Sequence, residues 1–465
     1  MDNSERQEEV RNRNSVSRRH FLAGAAVSAF SVVPAHVLAG GEKSPSDKLN
    51  VGCVGLGAAG CENLDKCSTE NIVALCDVDW ELASYAFDRW PSAGRYRDYR
   101  RMLDQEDELD GVIIATPDHT HAVITAAAMK SGCHVYTEMP LAHNPHEVRR
   151  LQKIARKTGV VTQMGNRRHS GPGVRRTCEL VWGGVLGPVQ RAECWTNRPS
   201  WPQGMTGPDE TGPAPDSLDW NLWLGPAAER PYSRAYHPVR WKGWQDFGTG
   251  ALGAMGCHVM DAAFWSLKLA DAPSFTVETD STGANAQTYP RASTVRYRFP
   301  ARGDMPPVTL TWRDGGRKPD PPEEWPATRG DAGSNGTFLF GEKQTLVFGS
   351  TTAGTLRGQA GPRLVPEGAM HEINSPGKSI PRVDDPRGWQ AHSRHQQEWI
   401  RACKAGEKPC ANFGYAAPLT EMVLLGNVAL LSAQKVRYDW QKGRITNAPE
   451  ANQYLGRTYR KGWSL

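Results

Sequence analysis

Three glycines, one carboxylate and one histidine are the residues in this chain whose types and spacing could do chemistry. Gly55, Gly57 and Gly60 close the stretch Asn50 to Gly60, directly after the short apolar run Leu49–Val54. Where a strand turns into a helix, each of these positions demands glycine for its own reason. Gly55 allows the tight turn, Gly57 lets the backbone approach a pyrophosphate, and Gly60 lets the helix lie close on the sheet. The anion would rest on the helix N-terminus, where N–H groups lack partners and the dipole favours negative charge. Ile72–Cys76 reads as a second strand ending in Asp77, seventeen residues beyond Gly60. A carboxylate there binds ribose hydroxyls and repels a 2′-phosphate, so the pattern points to NAD rather than NADP. His258 has the residue type of a general base, since an imidazole titrates near neutrality.

The elements that must position these residues follow in order. Trp80–Trp90 and the region of Tyr99–Leu103 read as helices, and Asp110–Thr116 as a buried strand. That strand leads into Pro117–His121, expected as a loop at the strand's C-terminal end, where open α/β sheets bind ligands. Thr116, Pro117 and His119 are therefore expected in the cofactor cleft. Ala122–Ser131 reads as a helix, Cys133–Thr137 as a strand running into Glu138, Met139 and Pro140, and Val160–Met164 as another. Glu138 and Pro140 would shape the nicotinamide side, and Asn166, Arg167 and His169 would face the same cleft toward a substrate. Farther on, Val189–Trp195, Phe275–Thr279, Ser293–Phe299, Val308–Trp312 and Thr337–Phe340 read as strands, and Trp389–Ala405 and Ala416–Ala433 as helices. Gly/Pro-rich stretches at 199–217, 313–336 and 350–385 read as long loops.

Length and composition bound the function. The 465 residues allow two or three domains, and a net charge of +5 is too slight to argue for nucleic acid. Sixteen tryptophans are many, and those between Trp182 and Trp265 include Trp195, Trp241 and Trp244, which suit either sugar stacking or core packing. The ten cysteines show neither zinc spacing nor a compact disulfide framework. No metal is expected from Asp118, His121, His134 and His143, whose spacing is loose.

The first residues read as an address. Ser17-Arg18-Arg19-His20-Phe21-Leu22 precedes an apolar run from Ala23 to Val33 and a small-residue site ending at Ala39. This is a twin-arginine export signal over 1–39, with 40–48 as linker. The apolar run is too short for a permanent membrane anchor. Periplasmic or other exported localisation follows as an expectation. A protein exported already folded would carry its cofactor tightly bound and regenerate it within each cycle.

The glycine fingerprint, the Thr-Pro-x-His-x-His motif at 116–121 and Glu138-x-Pro140 together resemble the Gfo/Idh/MocA family, named for glucose–fructose oxidoreductase and inositol dehydrogenase. Gln163–His169, Trp195–Pro199, Asp246–Gly253 and Tyr459–Trp463 resemble its secreted bacterial branch. The resemblance implies an α/β protein. An N-terminal NAD(P)-binding Rossmann domain (49–170) would precede a C-terminal α/β domain (171–465) with a large, mainly antiparallel sheet. It implies a small-molecule carbohydrate substrate and a homo-oligomer, dimer or tetramer.

The chain departs from the family at two chemical positions. The family's dehydrogenases usually carry lysine between Glu138 and Pro140, where this chain has Met139. They also place an aspartate one helical turn before the histidine, where this chain has Ala254 before His258. His258 and Glu138 remain as candidate catalytic residues, with Trp195, Trp244 and Lys242 as further candidates for substrate contact. Three readings compete. In the first, an NAD-dependent oxidoreductase acts on a sugar, polyol or glycoside, with Arg167, Lys242, Asp246 or Asp261 replacing the missing groups. In the second, an NAD-dependent glycosidase or lyase uses transient ring oxidation. In the third, the chain is a catalytically silent sugar-binding pseudoenzyme.

Overall fold

The computed structural model describes residues 47–325, 333–349, 361–366, 376–383 and 394–465. The expected export signal lies outside these residues, as does most of the stretch 350–385.

Six strands form the first sheet: β1 (Asn50–Val54), β2 (Asn71–Cys76), β3 (Gly94–Tyr96), β4 (Gly111–Ile114), β5 (His134–Thr137) and β6 (Thr162–Met164). Their order is β3-β2-β1-β4-β5-β6, and every pairing is parallel. Such strands are covered on both faces, which is why β1 and β4 read as unbroken apolar runs. The order reverses beside β1, so the ligand crevice of this topology opens between the ends of β1 and β4. The helices of this unit are α1 (Ala58–Lys66), α2 (Ser84–Arg89), α3 (Tyr99–Gln105), α4 (Asp118–Lys130) and α5 (Pro145–Thr158).

Two expectations need correction here. The helix expected over 80–90 begins only at Ser84, because the Asp79 carboxylate accepts from the Glu81 and Leu82 N–H groups and holds a turn. The loop expected at 117–121 is instead the start of α4, with Pro117 as its N-cap and Asp118 in its first turn. Proline at this boundary loses no hydrogen bond and aspartate suits the positive end of the dipole, so the two residues open a helix there.

The second sheet contains β7 (Val189–Thr196), β8 (Ser274–Ser281), β9 (Ser293–Phe299), β10 (Val308–Arg313), β11 (Asn335–Gly341), β12 (Thr345–Phe348), β13 (Arg363–Val365), β14 (Val436–Asp439) and β15 (Arg444–Ile445). Its order is β13-β12-β11-β7-β10-β9-β8-β14-β15, antiparallel throughout except where β7 meets β10. Its helices are α6 (Pro172–Trp182), α7 (Trp220–Leu224), α8 (Gly250–Val259), α9 (Asp261–Ser266), α10 (Arg394–Ala405) and α11 (Phe413–Ser432).

Two of these helices join the units. By length and composition α11 could cross a membrane, yet it is buried and packs against α5, α8 and β8. An all-round apolar helix is what such a central position requires. Gly256 of α8 lets the two helices close up, since a Cβ there would stand 2.8 Å from Val423. Helix α10 returns to the first sheet. Its Trp399, Ile400 and Cys403 share one core with Val51, Ile113 and Tyr136, so residues assigned by sequence to the second domain complete the core of the first. Trp399→Ala should cost about 3–5 kcal/mol, a value typical of emptying a fully packed aromatic site. Denaturant unfolding followed by circular dichroism would measure it.

Candidate functional site

The turn after β1 fits the chemistry read from its glycines. Gly55 has φ +90°, and a Cβ there would lie 2.7 Å from the Ala115 carbonyl. At Gly60 a Cβ would overlap the Gly55 carbonyl oxygen, so α1 can lie against β1 only without one. Gly57 faces open space, with nothing within 4 Å of the position a Cβ would take. Asp77 ends β2 with its carboxylate accepting from the Leu56 N–H at 2.6 Å and the Asp79 N–H at 2.9 Å. Burial pushes its pKa up, and those two donors pull it back.

Gly55, Gly57 and Asp77 line a cavity of about 310 Å³, together with Thr116 and Pro117. The second unit supplies the opposing residues Trp223, Pro238, Trp241, Lys242 and Trp463. The bare backbone at Gly57, the free N-terminus of α1 and the acid at the end of β2 fit a nicotinamide dinucleotide.

His119 does not line this cavity. It is fully buried, with Nε2 2.9 Å from the Trp223 carbonyl and Nδ1 3.2 Å from that of Phe247. Burial and the Arg457 guanidinium lower its pKa to about 3. Its place in the first turn of α4, rather than in a loop, turns it toward the second unit as a brace. His121 lies between the Thr116 and Pro140 carbonyls, 2.8 Å from each, and so ties the end of β4 to the cis Met139–Pro140 step after β5.

The expected stacking roles of two tryptophans are corrected by burial. Trp195 is fully buried with Phe338, Val347 and Val365, on the face of β7 opposite Ala192 and Cys194. Its Nε1 donates to the Gly333 carbonyl. Trp244 is equally buried, in a small core with Trp223, Tyr236 and Phe247 that supports the cavity wall, and it donates to the Ala235 carbonyl. Neither offers a face to a sugar. The tryptophan-rich stretch is mainly a core, with Trp223 and Trp241 at its edge on the cavity.

At the C-terminal ends of β5 and β6 the remaining candidates gather. Glu138 accepts from Asn63 of α1 at 2.7 Å and from Arg167 at 3.3 Å, and Arg167 also pairs with Glu62 at 2.7 Å. Asn166 is buried, its Nδ2 donating to the Cys257 carbonyl at 3.0 Å. That bond turns its Oδ1 toward His258 Nδ1, 2.9 Å away. The imidazole is thereby held as the Nδ1–H tautomer, leaving Nε2 with a lone pair. Burial, then the charges of Arg168 and Arg167, lower the His258 pKa to about 4. An amide thus orients His258, a role the sequence did not disclose for Asn166.

His169 does not join this group. It is buried against Trp265 and Tyr415, with Nδ1 within 3.1 Å of both Asp261 oxygens. Burial opposes its charge, but the Asp261 carboxylate and the Cys410 thiol prevail and raise its pKa to about 10. Asp261 is committed to this cluster and to Tyr415, and Asp246 to Arg230, so neither carboxylate is the hydrogen-bond partner of His258. Lys242 lies in the cavity wall rather than beside His258 among the described contacts.

A parallel sheet with a glycine turn, closed by a second α/β unit, defines a two-domain nucleotide-binding protein. Residues 49–166 match the family model described as oxidoreductase family, NAD-binding Rossmann fold, and 175–303 match its C-terminal α/β domain. The chain belongs to this family, Gfo/Idh/MocA. It is 27% identical over 210 residues to a glycosyl hydrolase family 109 protein of Shewanella sp. (strain W3-18-1), covering 39% of this chain and 46% of that one. It is 28% identical over 145 residues to an inositol 2-dehydrogenase of Salmonella typhimurium (strain LT2), covering 30% and 43%. The matches span less than half the length of these curated relatives. Among solved structures it resembles the WlbA dehydrogenase from Bordetella pertussis in complex with NADH and UDP-GlcNAcA, at TM-score 0.57 and 15% identity over 83% of this chain and 98% of that one. This last likeness is one of fold.

The His258 environment makes a pH prediction. Below pH 6.5 an unfolded chain protonates this histidine, whereas the folded protein resists until about pH 4, so its contribution lowers stability as pH falls through that window. By ¹⁵N NMR, His258 should remain the neutral Nδ1–H tautomer at pH 6. Asn166→Asp should raise its pKa by about one unit or more, since an adjacent opposite charge favours the cation.

Proposed function

We propose that this protein is an exported NAD-dependent oxidoreductase that moves a hydride between the cofactor and a carbinol carbon of a sugar, polyol or glycoside. The observation that carries the reading is the Asn166–His258 pair, a neutral imidazole with Nδ1 fixed and Nε2 available, standing at the same edge of the parallel sheet as the glycine turn. Bound NAD would supply the hydride acceptor. The protein's own part is to hold the dinucleotide on Gly57 and the α1 N-terminus, and to take the hydroxyl proton at His258 Nε2. Asp77 supports NAD over NADP, because a carboxylate at the end of β2 repels a 2′-phosphate. Arg97 of the cavity wall is engaged by the Val78 and Ser217 carbonyls and by the face of Trp80.

Export rests on the twin-arginine motif at Arg18-Arg19. Ten cysteines, none in a disulfide and eight of them buried, suit a protein that folds before leaving the reducing cytoplasm. Met139 and Ala254 keep a second reading open, a closed redox cycle of the glycosidase or lyase kind, in which the hydride returns to the sugar. That cycle needs no cofactor supply outside the cell.

Denaturing the purified protein should release one NAD per chain, detected by mass spectrometry. Absence of release together with failure to bind added NAD would sink both redox readings and leave a silent binding protein. Net NADH formed with a free sugar identifies the dehydrogenase, and aglycone release without net NADH identifies the glycosidase. The double variant Met139→Lys with Ala254→Asp should give no gain in hydride transfer, since Asn166 already occupies His258 Nδ1. A gain of tenfold or more would mean that the site has lost activity rather than been rebuilt.

A further inference from the structure

The nucleotide cavity is walled from two sides, and only the glycine turn and Asp77 on the first side have a role so far. The charges on the opposing wall are uneven. His237 is paired with Asp79 at 2.8 Å, and Arg97 is spent on backbone carbonyls. Lys242 is different. It stands in a single helical turn, Arg240–Gly243, whose place is set by packing, because Gly248 meets the Lys242 backbone so closely that no side chain fits there. Its ammonium lies 4.5 Å from the Trp241 ring centre and 5.8 Å from that of Trp201. Among the described residues no carboxylate lies within ion-pair distance of it, whereas Lys66 and Lys404 each have one. A half-buried ammonium over two aromatic faces, in a cavity that also contains Asp77 and Asp98, is a charge awaiting an anion.

We propose that Lys242 is the phosphate-binding cation of the nucleotide site, contributed by the second unit to the pyrophosphate that the α1 N-terminus holds from the first. The assignment rests on the nucleotide reading above. Two phosphate groups occur in this class of ligand, the pyrophosphate and, in NADP, the 2′-phosphate. The pyrophosphate is favoured by position. The Lys242 backbone packs against Gly248, next to Thr249, whose hydroxyl donates to Asp118 in the first turn of α4 at 2.5 Å. Lys242 therefore stands on the β4 side of the crevice, and its charge is felt by Asp118. The proposal also gives the lysine a task other than replacing the one missing at Met139.

The test is calorimetric binding of NAD, NADP, ADP-ribose and adenosine to full-length protein stripped of copurified nucleotide, comparing wild type with Lys242→Gln and Lys242→Arg. Lys242→Gln should weaken NAD and ADP-ribose alike by about tenfold or more, as expected for loss of a charge-assisted bond. Adenosine binding should be unchanged, and Lys242→Arg should restore most of the loss. An unchanged melting temperature of the free protein would show that the variant is folded, as a half-exposed position allows. If wild type binds NAD and Lys242→Gln binds it equally well, the assignment is wrong and the nucleotide reading stands. A loss confined to NADP would move the cation to the 2′-phosphate and overturn the pyrophosphate assignment. If wild type binds none of the dinucleotides, the nucleotide reading itself fails and this one with it.

Discussion

The absence of a side chain at Gly60 is the constraint on which the site depends. Because α1 touches the Gly55 carbonyl there, its N-terminus is brought to the β1–β4 crevice and its axis is fixed against the sheet. From that fixed helix Asn63 reaches Glu138 at the end of β5, and its carbonyl oxygen accepts from Gln396 of α10 at 2.6 Å. Glu138 in turn receives Arg167, the neighbour of Asn166, which orients His258. One steric contact thus sets the anion-binding end of a helix and, through a short polar chain, the frame around the candidate base. Hydrogen bonds alone would not hold this register, since each contributes only about 1 kcal/mol net.

Two histidines show what a carboxylate and an amide partner each do to an imidazole. His169, held by Asp261, is kept protonated, with its pKa raised to about 10. His258, held by Asn166 and facing the charges of Arg167 and Arg168, is lowered to about 4. Both rings are oriented through Nδ1, and the partner's charge decides whether the ring is an acid or a base. A carboxylate beside His258 would strengthen its basicity, while the amide keeps it deprotonated and fixed.

Much of the first unit was legible because its signals are local. Glycine spacing, apolar strands and an acid at a strand end each reflect the conformation of a few neighbouring residues. The strands of the second sheet were visible as alternating or apolar runs, although β12 to β15 are short and were not read. What remained hidden depends on distant parts of the chain. Trp399 completes the first core from beyond residue 390, and Asn166 meets a helix that begins at Gly250. Trp195 and Trp244 look like sugar platforms in sequence, because composition does not tell which side chains distant parts of the chain cover. His119 is hard to place for a simpler reason: Pro117–Asp118 suits a loop in sequence as well as the helix start it forms.

The wall of the nucleotide cavity also bears on the order of assembly. Trp463 lines it, stacked by Arg100, while Arg457 donates to the His119 carbonyl and Arg460 to that of Gly225. A chain is synthesised from its N-terminus. The glycine turn is therefore made well before the residues that roof it, and the core beneath it waits for Trp399. Neither the turn's support nor the cavity wall is finished until residues 399 to 463 are in place, so the two units are completed together rather than one after the other.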